Sequence, residues 1–277
     1  MSPIKSILVH FDLSAASKER LRVASRIAAV HEAHVTALYA VSSIYAVYPF
    51  AIVSSPEAAA VLLGVEESRA IGARAAFAEA SRGLSPLPTW AETTFLPERA
   101  VASQARYADL LVLGQPEPGA ATDVGLPGDF AASVLIDSGR PALVIPYVGA
   151  PEVIGDVAVV AWKNTPEAAR ALGAALPLLQ RCKRVHVVTW VEDGDAEPAG
   201  PLDIETSLRR HGIDATLHRH SAAPESVGEM LLSFVTDVSA DLLVMGCYGH
   251  GRMREWVLGG ATRVVLASMT VPVLMSH

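Results

Sequence analysis

The chain alternates two apolar patterns. Short continuous runs at residues 7–11, 35–41, 110–113 and Ala142–Ile145 read as strands buried on both faces. Between them, residues 17–30 carry Leu21, Ala24, Ile27 and Ala28 at helical spacing, with Ser14 placed to cap that helix. Pro97 opens a second helix running to Tyr107, with Glu98 beside its positive N-terminal end. The second half reads the same way. Strands at Val157–Ala161, 185–191, 242–245 and 273–275 enclose helices that start at Pro166 and at Pro224, the latter running to Val238. Strands alternating with helices predict an α/β fold: a parallel sheet covered on both faces.

The halves also repeat residue by residue. Tyr107-Ala108-Asp109-Leu110-Leu111-Val112-Leu113-Gly114 lines up with Ser239-Ala240-Asp241-Leu242-Leu243-Val244-Met245-Gly246, an offset of 132. Pro141 pairs with Pro272 at 131, and Asp12 with Lys163 at 151. The change in offset gives the first copy roughly twenty extra residues between its first and fourth strands. Two Pro/Gly clusters at 147–155 mark the linker, so the expected modules are 1–148 and 149–277.

Composition narrows the function. With 51% hydrophobic and 18% charged residues, the chain can bury cores and is not a disordered segment. A net charge of −7 with no Lys/Arg run argues against nucleic acid as a partner. Two cysteines, Cys182 and Cys247, are too few for a disulfide framework and fit a reducing, cytoplasmic location. The apolar run after Lys5 is too short for a signal peptide. Residues 35–56 contain no charge, which is span length. They hold Pro49, Pro56 and four serines, however, and read as a buried or partner-facing insertion rather than a membrane helix. The apolar, aromatic stretch 44–53 is expected to form a contact between chains or a cover over the first module, making the protein a homo-oligomer.

Ligands of open parallel sheets bind outside the carboxyl ends of the strands. In the second copy the loop at that place reads Gly246-Cys247-Tyr248-Gly249-His250-Gly251-Arg252-Met253-Arg254, then Gly259-Gly260-Ala261-Thr262. Glycines let backbone N–H groups approach phosphate oxygens, a helix starting near Ala261 aims its positive end at the same spot, and Arg252 and Arg254 add charge. Glycines after a strand also serve turns, so on residues alone a turn and an anion site stand level.

The spacing Gly-x2-Gly-x9-Gly, after Ala-Asp-Leu-Leu-Val-Met-Gly and before Pro-Val-Leu, resembles the universal stress protein family, and two copies resemble its tandem members. The resemblance implies two adenine nucleotide alpha-hydrolase-like modules, each a five-stranded parallel sheet with helices on both faces. It implies pairing of the modules through their last strands as a pseudo-dimer within the chain. It also implies a stress-response binding or regulatory protein, in some members with ATP held by the glycine loop and a first-strand aspartate. Both copies depart from that pattern. The first keeps Asp12, but its loop carries Pro116, Glu117, Pro118 and Asp123, which remove donors and add negative charge. The second keeps the loop but has Lys163 in place of the aspartate and Gly260 in place of a hydroxyl residue.

The resulting site is the second module's, with ATP or another phosphate ligand: Gly246, Gly249, Gly251, Arg252, Gly259, Gly260, Ala261 and Lys163. No nucleophile–base pair or paired carboxylates stand out, so a catalyst is the lesser reading. The alternatives are a weak nucleotide-dependent hydrolase and a structural interaction protein with vestigial pockets. His218 and His220 share a strand face, with His211 nearby, and read as solvated rather than as metal ligands; no metal is expected. Asp12 reads as a relic tied to Ser14 and the first helix. Cys247 reads as a spare thiol, and Trp162 and Trp256 as core or interface residues.

Overall fold

The computed structural model describes residues 4–43, 55–93, 95–117, 126–191, 202–221, 227–247 and 260–277. Among them the chain forms ten strands and eight helices in an α/β fold. It divides into two compact units, Ile4–Arg140 and Pro141–His277.

The first unit contains β1 (Ser6–Phe11), α1 (Ala15–His31), β2 (His34–Tyr39), α2 (Pro56–Ala80), β3 (Thr89–Glu92), α3 (Pro97–Ala105), β4 (Leu110–Gly114) and α4 (Phe130–Ser138). Its strands lie in the order β3-β2-β1-β4, all parallel. The continuous apolar runs are explained by cover on both faces: Ile7, Leu8, Val9, Leu110, Leu111 and Val112 are all buried. Each fully buried Leu or Ile contributes about 1.5–3 kcal/mol. Helix α1 turns its apolar positions, Leu21, Ala24, Ile27 and Ala28, onto the sheet and ends at Glu32, whose φ of 54° is left-handed.

The second unit contains β5 (Ala142–Ile145), β6 (Val157–Ala161), α5 (Pro166–Leu179), β7 (Arg184–Val191), α6 (Ile204–Arg210), β8 (Ala215–Ser221), α7 (Val227–Asp237), β9 (Leu242–Gly246), α8 (Gly260–Ser268) and β10 (Val273–Ser276). The order is β5-β10-β9-β6-β7-β8. All these neighbours are parallel except β5 and β10, which run antiparallel with Val144 opposite Val273 and Ala142 opposite Met275. The last strands of the two repeats therefore pair with each other. Edge strands left alone would expose unpaired backbone groups, and this pairing removes that cost.

The repeated aspartate has one structural task in both copies. Asp109 accepts hydrogen bonds from the backbone N–H groups of Lys5 (2.9 Å) and Ser6 (3.0 Å). Asp241 does the same for Gly155, Asp156 and Val157 at 2.5, 3.0 and 3.3 Å. Each carboxylate thus ties the start of a fourth strand to the start of a first strand, at the end of the sheet away from the ligand side.

Several elements differ from expectation. The strand expected at 35–41 closes at Tyr39, and the helix from Pro97 stops at Ala105. Pro224 and half of the uncharged stretch, including 44–53, lie outside the described residues. Pro56, at the end of that stretch, opens the 25-residue α2, whose partner in the second copy is the 7-residue α6. Ser55 caps α2 by accepting from the N–H of Ala58, and Pro56 occupies its first turn. Among the described residues no helix is long and apolar enough to cross a membrane.

Candidate functional site

In each unit the chain leaves its first strand toward the second, while the fourth strand lies on the other side. The carboxyl ends of β1 and β4, and of β6 and β9, are therefore topological switch points. The two copies fill these places differently.

In the first copy the switch point is closed by side chains. Asp12 follows β1 and is buried. Its Oδ1 accepts from the N–H of Ser14 (2.8 Å), from the Ser14 hydroxyl and from the Ser17 hydroxyl (2.6 Å). Its Oδ2 accepts from Nη2 of Arg20 (2.9 Å), a guanidinium only 4% exposed. Arg20 also donates to the His10 carbonyl (3.0 Å) and to Ser17 Oγ (2.6 Å). Burial alone would raise the Asp12 carboxyl; Arg20, His10 and the two hydroxyls outweigh it and hold Asp12 well below the usual carboxylate range. Asp12 is indeed tied to Ser14 and the first helix.

His10 completes the closure. Its Nε2 donates to the Ala40 carbonyl at 2.8 Å, which fixes the neutral tautomer, and its ring meets Phe130 with centroids 4.6 Å apart. Burial, reinforced by Arg20 and opposed by Asp12, lowers His10 to about 4. Gly114, at the end of β4, lies under the guanidinium: a Cβ there would stand 2.5 Å from Arg20 Nη1. The loop beyond enters with the buried Gln115, then Pro116 and Glu117. Pro118 and Asp123 lie outside the described residues.

In the second copy the corresponding positions are stripped. At the offset of 151, Ala161, Ala168 and Ala171 stand for His10, Ser17 and Arg20. At the offset of 131, Ala261 stands for Phe130. Thr165 caps α5 by accepting from the N–H of Ala168 (3.3 Å), with Pro166 next and Glu167 in the first turn. Lys163 is exposed just before this cap, and its carbonyl accepts from the N–H of Thr165 (2.7 Å). The pairing of Ala161 with Met245 sets the ends of β6 and β9 side by side, so Lys163 and Gly246 belong to one end of the sheet.

Gly246 has a packing reason. A Cβ there would be 2.5 Å from the N of Ala168 and 2.7 Å from the carbonyl carbon of Glu167, so the first turn of α5 rests directly on the strand end. Cys247 follows, buried, with its thiol pushed up to about 12 by burial and then by Glu167. Gly260 begins α8, and no described residue lies within 4 Å of where its Cβ would stand; Ala261 follows, half-buried. An open groove of about 550 Å³ between α7 and α8, floored by Leu232 and Val264, reaches Gly260 at one end. Gly249, Gly251, Arg252, Arg254, Trp256 and Gly259 lie outside the described residues.

On β8, His218 is half-buried and so less solvated than expected. His186 Nδ1 and His218 Nε2 are 3.1 Å apart, and His218 packs edge-on to Phe234 at 4.8 Å. His220 is exposed and stacks on Trp190 at 5.9 Å. Among the described residues no group of three or more His, Cys, Asp or Glu side chains is placed to hold a metal.

This arrangement, paired βα units with switch points at the first and fourth strands, is that of the nucleotide alpha-hydrolase-like proteins. Residues 156–277 match the Universal stress protein family. Over its whole length the fold is similar to a universal stress protein from Archaeoglobus fulgidus DSM 4304, at 19% identity and a TM-score of 0.71. That match covers 98% of this chain and 97% of the other. A functionally unknown protein from Pseudomonas aeruginosa PAO1 is similar at 17% identity and a TM-score of 0.58, covering 99% and 92%. No curated protein sequence matches the chain.

Proposed function

We propose that this chain is a cytoplasmic stress-response protein of the binding and regulatory kind, with modules 1–148 and 149–277, that takes ATP or a related phosphate ligand in the second module only. The carrying observation is the contrast at the switch points. The first is packed with Asp12, Arg20, His10 and Phe130; the second has small residues at the matching positions, with an exposed Lys163 and the exposed first residue of α8. A lysine ammonium and helix N–H groups suit an anion. Gly249, Gly251, Arg252 and Gly259 supply the remaining contacts, while Gly246 acts through packing rather than contact. Isothermal calorimetry with an ATP analogue tests this. Binding at one site per chain, abolished by Gly260→Asp and unaffected by Phe130→Ala, is expected. Two sites, no binding of ATP or inorganic phosphate, or insensitivity to Gly260→Asp would overturn it.

A further inference from the structure

Helix α2 turns one face inward and leaves another bare. Ala73 is fully buried, and Phe77 packs against Phe11 and Trp90 at centroid distances of 5.9 and 5.1 Å. Lys18–Glu79 and Arg74–Glu92 ion pairs fasten the same half. On the opposite side Val61 and Ile71 are 65% and 62% exposed, with Val65 at the edge of that face 43% exposed. Glu57 stands in the first turn, but from Ala58 to Val65 no residue is charged, so the two turns after it are apolar all round, a pattern found where a helix is covered.

The outer face has a register. Val61, Gly64, Ser68, Ile71, Ala75 and Ala78 succeed one another at alternating three- and four-residue spacing, the period of a two-helix seam. When two such helices are laid antiparallel, Val61 meets Ala78 of the second copy, Gly64 meets Ala75, and Ser68 meets Ile71. Every large residue then faces a small one. The same register brings the exposed Glu67 of each copy beside Arg74 of the other, giving two opposite-charge contacts by symmetry. Arg74 already contacts Glu92, but a guanidinium has five donors and serves both carboxylates. In the second repeat the corresponding helix α6 is 7 residues long and ends in Arg209 and Arg210.

We infer that the outer face of α2 is a self-association surface, and that its partner is α2 of a second copy of this chain, antiparallel, with Glu67 and Arg74 exchanged across the two-fold axis. The seam from Val61 to Ala78 is about 26 Å long, at 1.5 Å per residue. One helix pair of this length lies at the small end of specific interfaces, so the dimer forms reversibly at micromolar concentration. This inference is independent of the nucleotide reading.

Sedimentation velocity of the full chain, from about 1 to about 200 μM, reads the association directly, with a micromolar midpoint expected. Ile71→Glu should move that midpoint at least about tenfold higher without altering the thermal melt, because Ile71 is exposed in the monomer. Glu67→Arg and Arg74→Glu should each weaken association, since like charges would then face each other on both sides of the two-fold axis. The double change Glu67→Arg with Arg74→Glu should restore it to within about twofold of the original. A chain that stays monomeric throughout the range overturns the proposal and leaves the face to another partner. A dimer indifferent to Ile71→Glu, or a double variant as weak as the singles, overturns it equally.

Discussion

The ends of β1 and β6 began as equivalent positions and now carry opposite solutions. At β1 an aspartate is neutralised by a buried arginine, two serines complete its hydrogen bonds, and His10 and Phe130 fill the remaining space. In the second copy four of those positions are alanines, Ala161, Ala168, Ala171 and Ala261, and the aspartate is an exposed lysine. The contrast shows how the carboxyl end of a strand can be built into core. Closing it took a compensating charge and a ring, since an unpaired buried carboxylate would be expensive.

The strongest way to break this comparison is to remove the compensating charge. Arg20→Met should cost the first unit about 3–5 kcal/mol, because it strands Asp12 without a partner. Adding Asp12→Asn should recover more than half. Urea unfolding read by hydrogen exchange of the β1 amides would show both effects. A loss below about 1 kcal/mol would mean the pair is not what holds this end closed.

Acid tests the same cluster through His10. Its folded value of about 4 lies below the unfolded value near 6.5, so the unfolded chain takes up a proton first as pH falls. Stability of the first unit should be flat above pH 6.5 and drop by about 3 kcal/mol between 6.5 and 4. Asp12, held low, adds a further loss only as pH falls below the ordinary carboxylate range. Chemical denaturation at stepped pH should show that slope, and His10→Gln should remove its upper part. An unchanged slope in the variant would assign it to other groups.

The paired glycines sharpen the comparison further. Gly246→Ala drives a Cβ into the backbone of α5 and should cost about 3 kcal/mol, whereas Gly114→Ala meets only the tip of Arg20 and should cost about 1 kcal/mol. Equal losses in thermal melts would show that the two strand ends are packed alike after all. The smallest effect belongs to the second switch point itself. Lys163→Ala should weaken binding of an ATP analogue about tenfold, the value of one charge-assisted contact. Tighter binding in Lys163→Asp than in the unmodified chain would instead show that the lysine obstructs the nucleoside.

Much of this was legible in the residues. Val157–Ala161 and Ala142–Ile145 could be read to the residue because a strand covered on both faces must be apolar at every position. The start of α5 was equally plain from Pro166. Helix α2 was not legible: from Ala58 to Val65 it is apolar around the whole circumference, so no single face announces a helical period. Arg20 carried a signal that went unused. It shares the 3–4 spacing of Ser17, Ala24 and Ile27 and so sits on the buried face of α1, where a charge demands a partner, and Asp12 was the nearest candidate. The packing role of Gly246 had no sequence signal at all, since a glycine that admits a helix and one that admits a phosphate look the same.

The antiparallel pairing of β5 with β10 has a consequence for how this protein tolerates dilution. Strands joined by the chain itself meet at an effective concentration fixed by the intervening residues, with no dependence on the amount of protein in solution. Two separately encoded modules would part as they were diluted, and could re-form as pairs of identical halves. Here every molecule carries the buried Asp12 with Arg20 in one half and the exposed Lys163 with Ala171 in the other, in fixed one-to-one stoichiometry.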